Sequence, residues 1–255
     1  MINGFLLAIQ FFTSVPIRKS LPIGQREAVW MFTLYPAVGA LIGLAAWTVC
    51  AVVTGPGGGG SFLAAFAVVL VFALLSGGLH LDGWADTGDA YFSYRDREKR
   101  LEIMADPRIG AFGTMALLFL LIGKLAVLNE LIARGGPGPV HFLLVPFAAR
   151  AGLALFYAHV RPAKGSGLLA FLKGKADGPQ VGIPGLAVLA AGTAAAALVS
   201  GSVLPAAAIA LAVLVSVLAF GKWSVRNFGG ATGDHAGAFV EGCEGLLWTV
   251  LLFFT

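Results

Sequence analysis

The chain has 255 residues; 58% are hydrophobic and only 12% carry a charge. A soluble domain is about 25% charged, so this composition excludes an ordinary water-soluble enzyme and makes lipid the main solvent. The formal net charge of +4 calls for no nucleic acid partner, because uneven charge between loops accounts for most of it.

The first segment, 2–17, is apolar, but Arg18 and Lys19 follow it instead of preceding it, which is not the layout of a cleavable signal peptide. It is shorter than the roughly 20 residues of a crossing, so it is read as a re-entrant or interfacial segment. Seven long apolar runs follow, at 28–53, 61–81, 108–133, 140–160, 183–200, 203–221 and 236–255. Gly and Pro recur inside them, as is ordinary where membrane helices approach closely. The alternation of a membrane β-barrel is absent. The expected fold is all-α: a polytopic membrane helix bundle with about seven transmembrane helices plus the N-terminal segment, in one integral membrane domain over 1–255. Cys50 and Cys243 lie in apolar runs and are read as packing residues.

The loops sort by charge. The loop 54–60 has no Lys or Arg, and the links 134–139 and 201–202 contribute only Arg134. The segments 18–27, 82–108, 161–182 and 222–235 are basic. Basic and neutral loops alternate through all seven runs, which puts the basic ones in the cytoplasm and the C-terminus outside. Three cytoplasmic segments, 80–113, 161–182 and 222–241, are therefore the candidate catalytic loops of an enzyme in the cell (inner) membrane.

Ten of the thirteen acids lie in the basic segments. The densest stretch is HLDGWADTGDAYF, where Asp82, Asp86 and Asp89 fall on one face of a helix. Three carboxylates on one face near a membrane repel each other unless cations occupy them. Hard oxygen ligands favour Mg²⁺ or Mn²⁺, which also bind substrate phosphates. A single Asp here would be an ordinary helix cap; three at this spacing between Gly83 and Gly88 point to a metal-dependent phosphoryl-transfer site. His80, two residues before the cluster, is a general base, a metal ligand, a phosphate contact or a side chain snorkelling at the interface.

Farther on, Asp106 and Arg108 flank Pro107 just before a span bearing Gly110 and Gly113. A cation beside a glycine-bearing helix start suits a phosphate, although Arg108 also fits a topology anchor. Arg150 lies mid-span, where it either reaches a substrate phosphate or balances Glu130. The segment 161–182 resembles a flexible basic lid. In NFGGATGDHAGAFVEGCEG, Asp234 stands at the mouth of the last run, with Glu241 and Glu244 on following turns. They either join the site or pair with Lys124, Arg150 or Lys222 inside the bundle.

Three ordered motifs, GGLHLDGWADTGDA, RLEIMADPRIGAFG and GGATGDHAGAFVE, together with FFTSVPI and YPAVGALIG, carry a family resemblance over essentially the whole length. The chain resembles the cobalamin synthase, or adenosylcobinamide-GDP ribazoletransferase, family. It departs from the family pattern at Ala90, where glycine is frequent, and at Pro107, where serine is common. The resemblance implies a transferase that joins adenosylcobinamide-GDP to α-ribazole or its 5′-phosphate with loss of GMP, and Mg²⁺ as cofactor. On that basis Asp82, Asp86 and Asp89 hold the metal, and Asp89 or His80 takes the hydroxyl proton. Arg108, Asp106 and Arg150 serve the phosphates, while Asp234 and Glu241 complete the metal shell or hold the ribazole. Membrane lipid is a further partner, and a homo-oligomer is compatible with the sequence. Two other readings compete: a CDP-alcohol phosphotransferase, which also uses an aspartate-rich DG motif, and a transporter with a cytoplasmic cation site.

Overall fold

The structure is a computed structural model that describes residues 1–56 and 58–255; Gly57, in the neutral loop 54–60, lies outside the described residues. Eleven helices follow one another among the described residues: α1 (Ile2–Phe12), α2 (Gln25–Thr54), α3 (Ser61–Leu75), α4 (Leu79–Phe92), α5 (Arg97–Ile103), α6 (Ala111–Ala133), α7 (Pro139–His159), α8 (Leu168–Lys173), α9 (Gly178–Ser200), α10 (Val203–Phe228) and α11 (Gly233–Leu251). The all-α expectation is met.

The count of about seven crossings is not confirmed. Five helices, α2, α6, α7, α9 and α10, are long and apolar enough to cross a membrane. A sixth crossing exists only if α3 and α4 count as one, and these two meet at 91°. The sequence run 61–81 hides that break because its residues are apolar on both sides of it. Ser76 caps α3, and Gly77 and Gly78 follow with φ of +63° and +74°, left-handed values that favour glycine. Two such residues in succession turn α4 across the direction of α3. The last run, 236–255, is the other difference: α11 carries Asp234, Glu241 and Glu244 and is the buried heart of the bundle. The N-terminal segment is a short apolar helix packed on α2, with Gly4 set against Trp30.

Packing centres on α7, whose residues are buried on nearly every face. Its closest neighbour is α2, and the approach depends on glycine. A Cβ at Gly39 would lie 2.5 Å from the Pro146 carbonyl oxygen, and one at Gly43 would overlap the Phe142 carbonyl. Lipid tails are as apolar as leucine, so small residues that let backbones touch supply much of the attraction between such helices. Many outward side chains on the long helices, such as Phe119, Leu198 and Leu211, are exposed and apolar, as a lipid-facing surface requires.

Three of the four basic segments, 82–108, 161–182 and 222–235, meet at one end of the bundle. Ala163 N–H donates to the Ala231 carbonyl at 2.8 Å and Ala231 N–H to that of Arg161 at 2.9 Å. Lys164 donates to the Leu101 carbonyl at 2.8 Å, and the Thr232 hydroxyl contacts Met104 Sδ at 3.2 Å.

The α2–α7 contact gives a direct test. Gly43→Val should cost about 3 kcal/mol through overpacking, read as a lower thermal midpoint in detergent. The same midpoint for wild type and variant would show that the helices can part without loss.

Candidate active site

Two helix starts build the site. Asp82 is in the first turn of α4 and Asp234 in the first turn of α11. The helices touch through glycine on both sides. A Cβ at Gly83 would lie 2.5 Å from the Asp234 carbonyl oxygen, and one at Gly237 would lie 3.1 Å from His80 Cα. The start of α11 is fixed by a reciprocal cap between Thr232 and His235, and the Thr232 hydroxyl lies 3.1 Å from Asp234 Oδ2. This geometry brings Asp234 to Asp82 and Asp86.

The three carboxyls sense each other. Asp86, half-buried on α4 and outside the crossing helices, has its pKa pushed up to about 7. Burial is the main cause, followed by the charges of Asp82, Asp234 and Asp89. Burial also raises Asp234, partly offset by the Thr232 hydroxyl, while Asp82 adds repulsion and Lys164 attraction. Among the described residues, no three His, Cys, Asp or Glu side chains lie close enough together to hold a metal ion by themselves. The acids that influence Asp86 are nonetheless all oxygen donors and mutually repelling. That suits a hard divalent ion completed by oxygens from a substrate and from water.

Asp89 has a different position from its two neighbours on α4. It is buried, and its two oxygens accept from the Gly110 N–H at 2.6 Å and the Gly113 N–H at 2.8 Å. A carboxylate from one helix thus caps the free N–H groups of another, where the helix dipole also favours negative charge. Sequence reading gives Asp89 to metal or proton; the structure gives both of its oxygens to α6. The same contact occupies the helix start that was expected to receive a phosphate beside Arg108. Arg108 points into solvent, 86% exposed, and grips Asp106 through two bonds of 2.9 and 2.7 Å. That grip holds Asp106 down at about 2.

Glu241 and Arg150 are also drawn elsewhere. Lys124 of α6 binds Glu241 and, at 3.3 Å, Glu244, while Arg150 of α7 binds Glu244 at 2.9 Å. All four are buried. This is the intrabundle pairing that the sequence left open, with Glu244 and not Glu130 as the partner of Arg150. Glu130 pairs with Arg134 on the surface.

His80 is buried beside the cluster, with Nε2 2.9 Å from the Tyr35 hydroxyl. It lines a cavity of about 410 Å³ whose mouth holds Asp82, Asp234 and Lys164. Phe12, Phe32 and Tyr157 also line it, and sequence reading did not place them there because nothing marks one aromatic on a lipid-soluble helix from another. Basic side chains rim the same end. Arg100 donates to Asn227 Oδ1 at 3.2 Å and lies over the Tyr91 ring, and Arg161 donates to the Gly229 carbonyl at 2.9 Å. The charges of 94–102 look like a plain solvated face in the sequence; the fold turns Arg100 inward.

Acids, cations and a largely apolar cavity thus lie together at one end of the bundle. The family model for cobalamin-5-phosphate synthase matches residues 4–252. The chain belongs to the cobalamin-5-phosphate synthase family. It is 38% identical to the adenosylcobinamide-GDP ribazoletransferase of Geobacillus kaustophilus, over 98% of this chain and 95% of that protein. It is 39% identical to the Geobacillus thermodenitrificans protein of the same name, over 98% and 95%. The Klebsiella pneumoniae (strain 342) relative is 38% identical over 99% of this chain and all of its own. No solved structure matches. In this member of the family, the sequence motifs with the strongest resemblance are those that the fold joins: the α4 acids, the start of α6 and the start of α11.

Asp86 and Asp89 should respond oppositely to loss of charge. In chelator, Asp86→Asn relieves repulsion and should raise the thermal midpoint. Asp89→Asn weakens two charge-assisted bonds and should cost about 2 kcal/mol. Equal shifts for the two variants would contradict the different environments found for them.

Proposed function

We propose that this chain is an adenosylcobinamide-GDP ribazoletransferase. It joins adenosylcobinamide-GDP to α-ribazole, or to α-ribazole 5′-phosphate, forming adenosylcobalamin or its phosphate and releasing GMP. The relatives that bear this activity in their names cover the whole chain. The observation that carries the reading is that Asp82, Asp234 and Lys164 line one cavity, with Asp86 close enough to feel the charges of both acids.

A ribose ring hydroxyl, free in both α-ribazole and its 5′-phosphate, loses its proton and forms a bond to the phosphorus attached to cobinamide, and the bond from that phosphorus to the GMP oxygen breaks. Such a reaction needs charge neutralisation and alignment more than covalent chemistry. Asp82 and Asp86, four residues apart on one helix, would hold Mg²⁺, which when bound neutralises diphosphate charge. Lys164 offers a cation to the same oxygens. Asp234 faces Asp82 from the second helix, and burial raises its affinity for a proton, so its carboxylate would accept the hydroxyl proton. Asp89 holds α4 to the start of α6, so that these acids keep their places.

The meeting of the basic segments at this end supports a cytoplasmic site in the cell membrane. The CDP-alcohol phosphotransferase alternative shares the chemistry but not the family match.

Purified protein in lipid vesicles should form cobalamin from adenosylcobinamide-GDP and α-ribazole, stop in chelator and recover with Mg²⁺. Asp82→Asn should lose about 10²-fold or more in kcat while still inserting and keeping its thermal midpoint. Full activity in chelator, near-normal activity of the variant, or CMP release from a CDP-alcohol would each reject part of this assignment.

A further inference from the structure

The site's two substrates differ in what they ask of a cavity, and the cavity of about 410 Å³ can be matched to one of them. Its mouth is polar, with Asp82, Asp234 and Lys164. Its walls include Phe12, Phe32, Leu153, Phe156 and Tyr157, all buried. The Phe32 and Tyr157 ring centres lie 4.2 Å apart. A space of this size, mostly apolar with a few polar groups, is typical of small-molecule sites.

A corrinoid with its amide arms is far too large for it. Guanine would fit by size, but its edges carry several donors and acceptors, and each one left unpaired in an apolar enclosure is costly. The base of α-ribazole is a methylated benzimidazole. It is flat and apolar except for one acceptor nitrogen.

His80 supplies a counterpart to that nitrogen. It lines the cavity, is 2% exposed, and its Nδ1 has no protein partner. The Tyr35 hydroxyl lies 2.9 Å from His80 Nε2, and the Arg150 guanidinium lies over the Tyr35 ring; we take the phenol as the donor of this bond, because its own proton then meets a neutral ring nitrogen. A neutral ring that accepts at Nε2 carries its own proton at Nδ1. His80 therefore has one unused donor at an otherwise apolar wall.

We infer that this cavity is the nucleoside subsite. It takes the benzimidazole base among the aromatic walls, with the free ring nitrogen bonded by His80 Nδ1–H and the ribose ring hydroxyls turned out to Asp82 and Asp234. The corrinoid and the guanosine remain outside the mouth, with the diphosphate against the acids and Lys164. This rests on the transferase reading above, but it is tested by binding as well as by turnover. Tyr35 and Arg150 act as positioning residues, since they set the His80 tautomer without touching the base.

The test uses the full chain in lipid vesicles and measures equilibrium binding of three nucleosides: α-ribazole, the matching dimethylindole riboside, which lacks the acceptor nitrogen, and an α-linked purine riboside. Wild type should bind α-ribazole about tenfold more tightly than either of the others, and GDP should not displace it. His80→Ala should weaken α-ribazole about tenfold and leave the indole riboside unchanged. Ala236→Leu places bulk at a residue lining the cavity. It should weaken both and raise the KM for α-ribazole about tenfold, with the KM for adenosylcobinamide-GDP within about twofold. Displacement by GDP, equal affinity for the purine riboside, or α-ribazole binding unmoved by both variants, as when a lipid chain fills the space, overturns the subsite. Cobalamin formation alongside any of these leaves the transferase standing. Nucleoside binding as described without cobalamin formation leaves the subsite and removes the transferase.

Discussion

The site depends on how closely α4 approaches α11. Gly83 and Gly237 face one another's helices, and a side chain at Gly83 would strike the Asp234 backbone. Without that contact, Asp82 and Asp86 would be two acids on a surface helix and Asp234 an ordinary residue behind a helix cap. With it, three carboxyls share one region, and Asp86 is pushed towards neutrality by burial and by its neighbours. The repulsion is stored where a cation and a diphosphate can relieve it. The 91° turn at Gly77 and Gly78 is the second half of the same constraint, because an α4 that continued the line of α3 would not lie across the start of α11.

Electrostatics of opposite design hold the scaffold behind the site. Deeper in the bundle Lys124, Glu241, Glu244 and Arg150 form a chain of two cations and two anions, buried and matched. Breaking such a set leaves an uncompensated charge out of water, so it fixes α11 against α6 and α7. The acids at the cavity mouth lack such matching. Near α4, Lys164 is a cation that approaches Asp234, while Arg108 is paired with Asp106, Arg100 bonds Asn227 and Arg161 bonds the Gly229 carbonyl. Charge is therefore balanced where it supports the fold and left unbalanced where a ligand is expected.

The sequence shows the helical class, the alternation of loop charge and the acidic stretch around Asp82 and Asp86, because each depends on local pattern. It misleads where tertiary contact decides. Asp89 shares a helical face with Asp82 and Asp86, yet its carboxylate is drawn into the start of α6, and no spacing rule separates the three. Arg108 reads as a phosphate contact next to a helix start, but that start already has its anion. The crossing count is not confirmed for a related reason. Hydropathy sees an unbroken run over 61–81 and cannot see that two glycines with positive φ bend it, nor that the acidic final helix is enclosed by its neighbours instead of facing lipid.

The aromatic cavity is the least legible feature, since it draws Phe12 from α1, Phe32 from α2, and Phe156 and Tyr157 from α7. These residues are far apart in the chain and unremarkable in a lipid-soluble composition. Their assembly gives the short N-terminal helix a purpose that its length alone does not suggest. Ser14 N–H binds the Leu75 carbonyl at 2.9 Å, which ties the end of α1 to the start of the α3–α4 bend. Phe12 is thereby set 4.2 Å from the Tyr35 ring, with His80 next to both. The bend that turns the acids towards α11 is thus tied to the segment that supplies one cavity wall. A displacement of α1 would disturb the apolar enclosure and the acidic mouth together, and that coupling explains why a segment too short to cross the membrane is packed so firmly against α2.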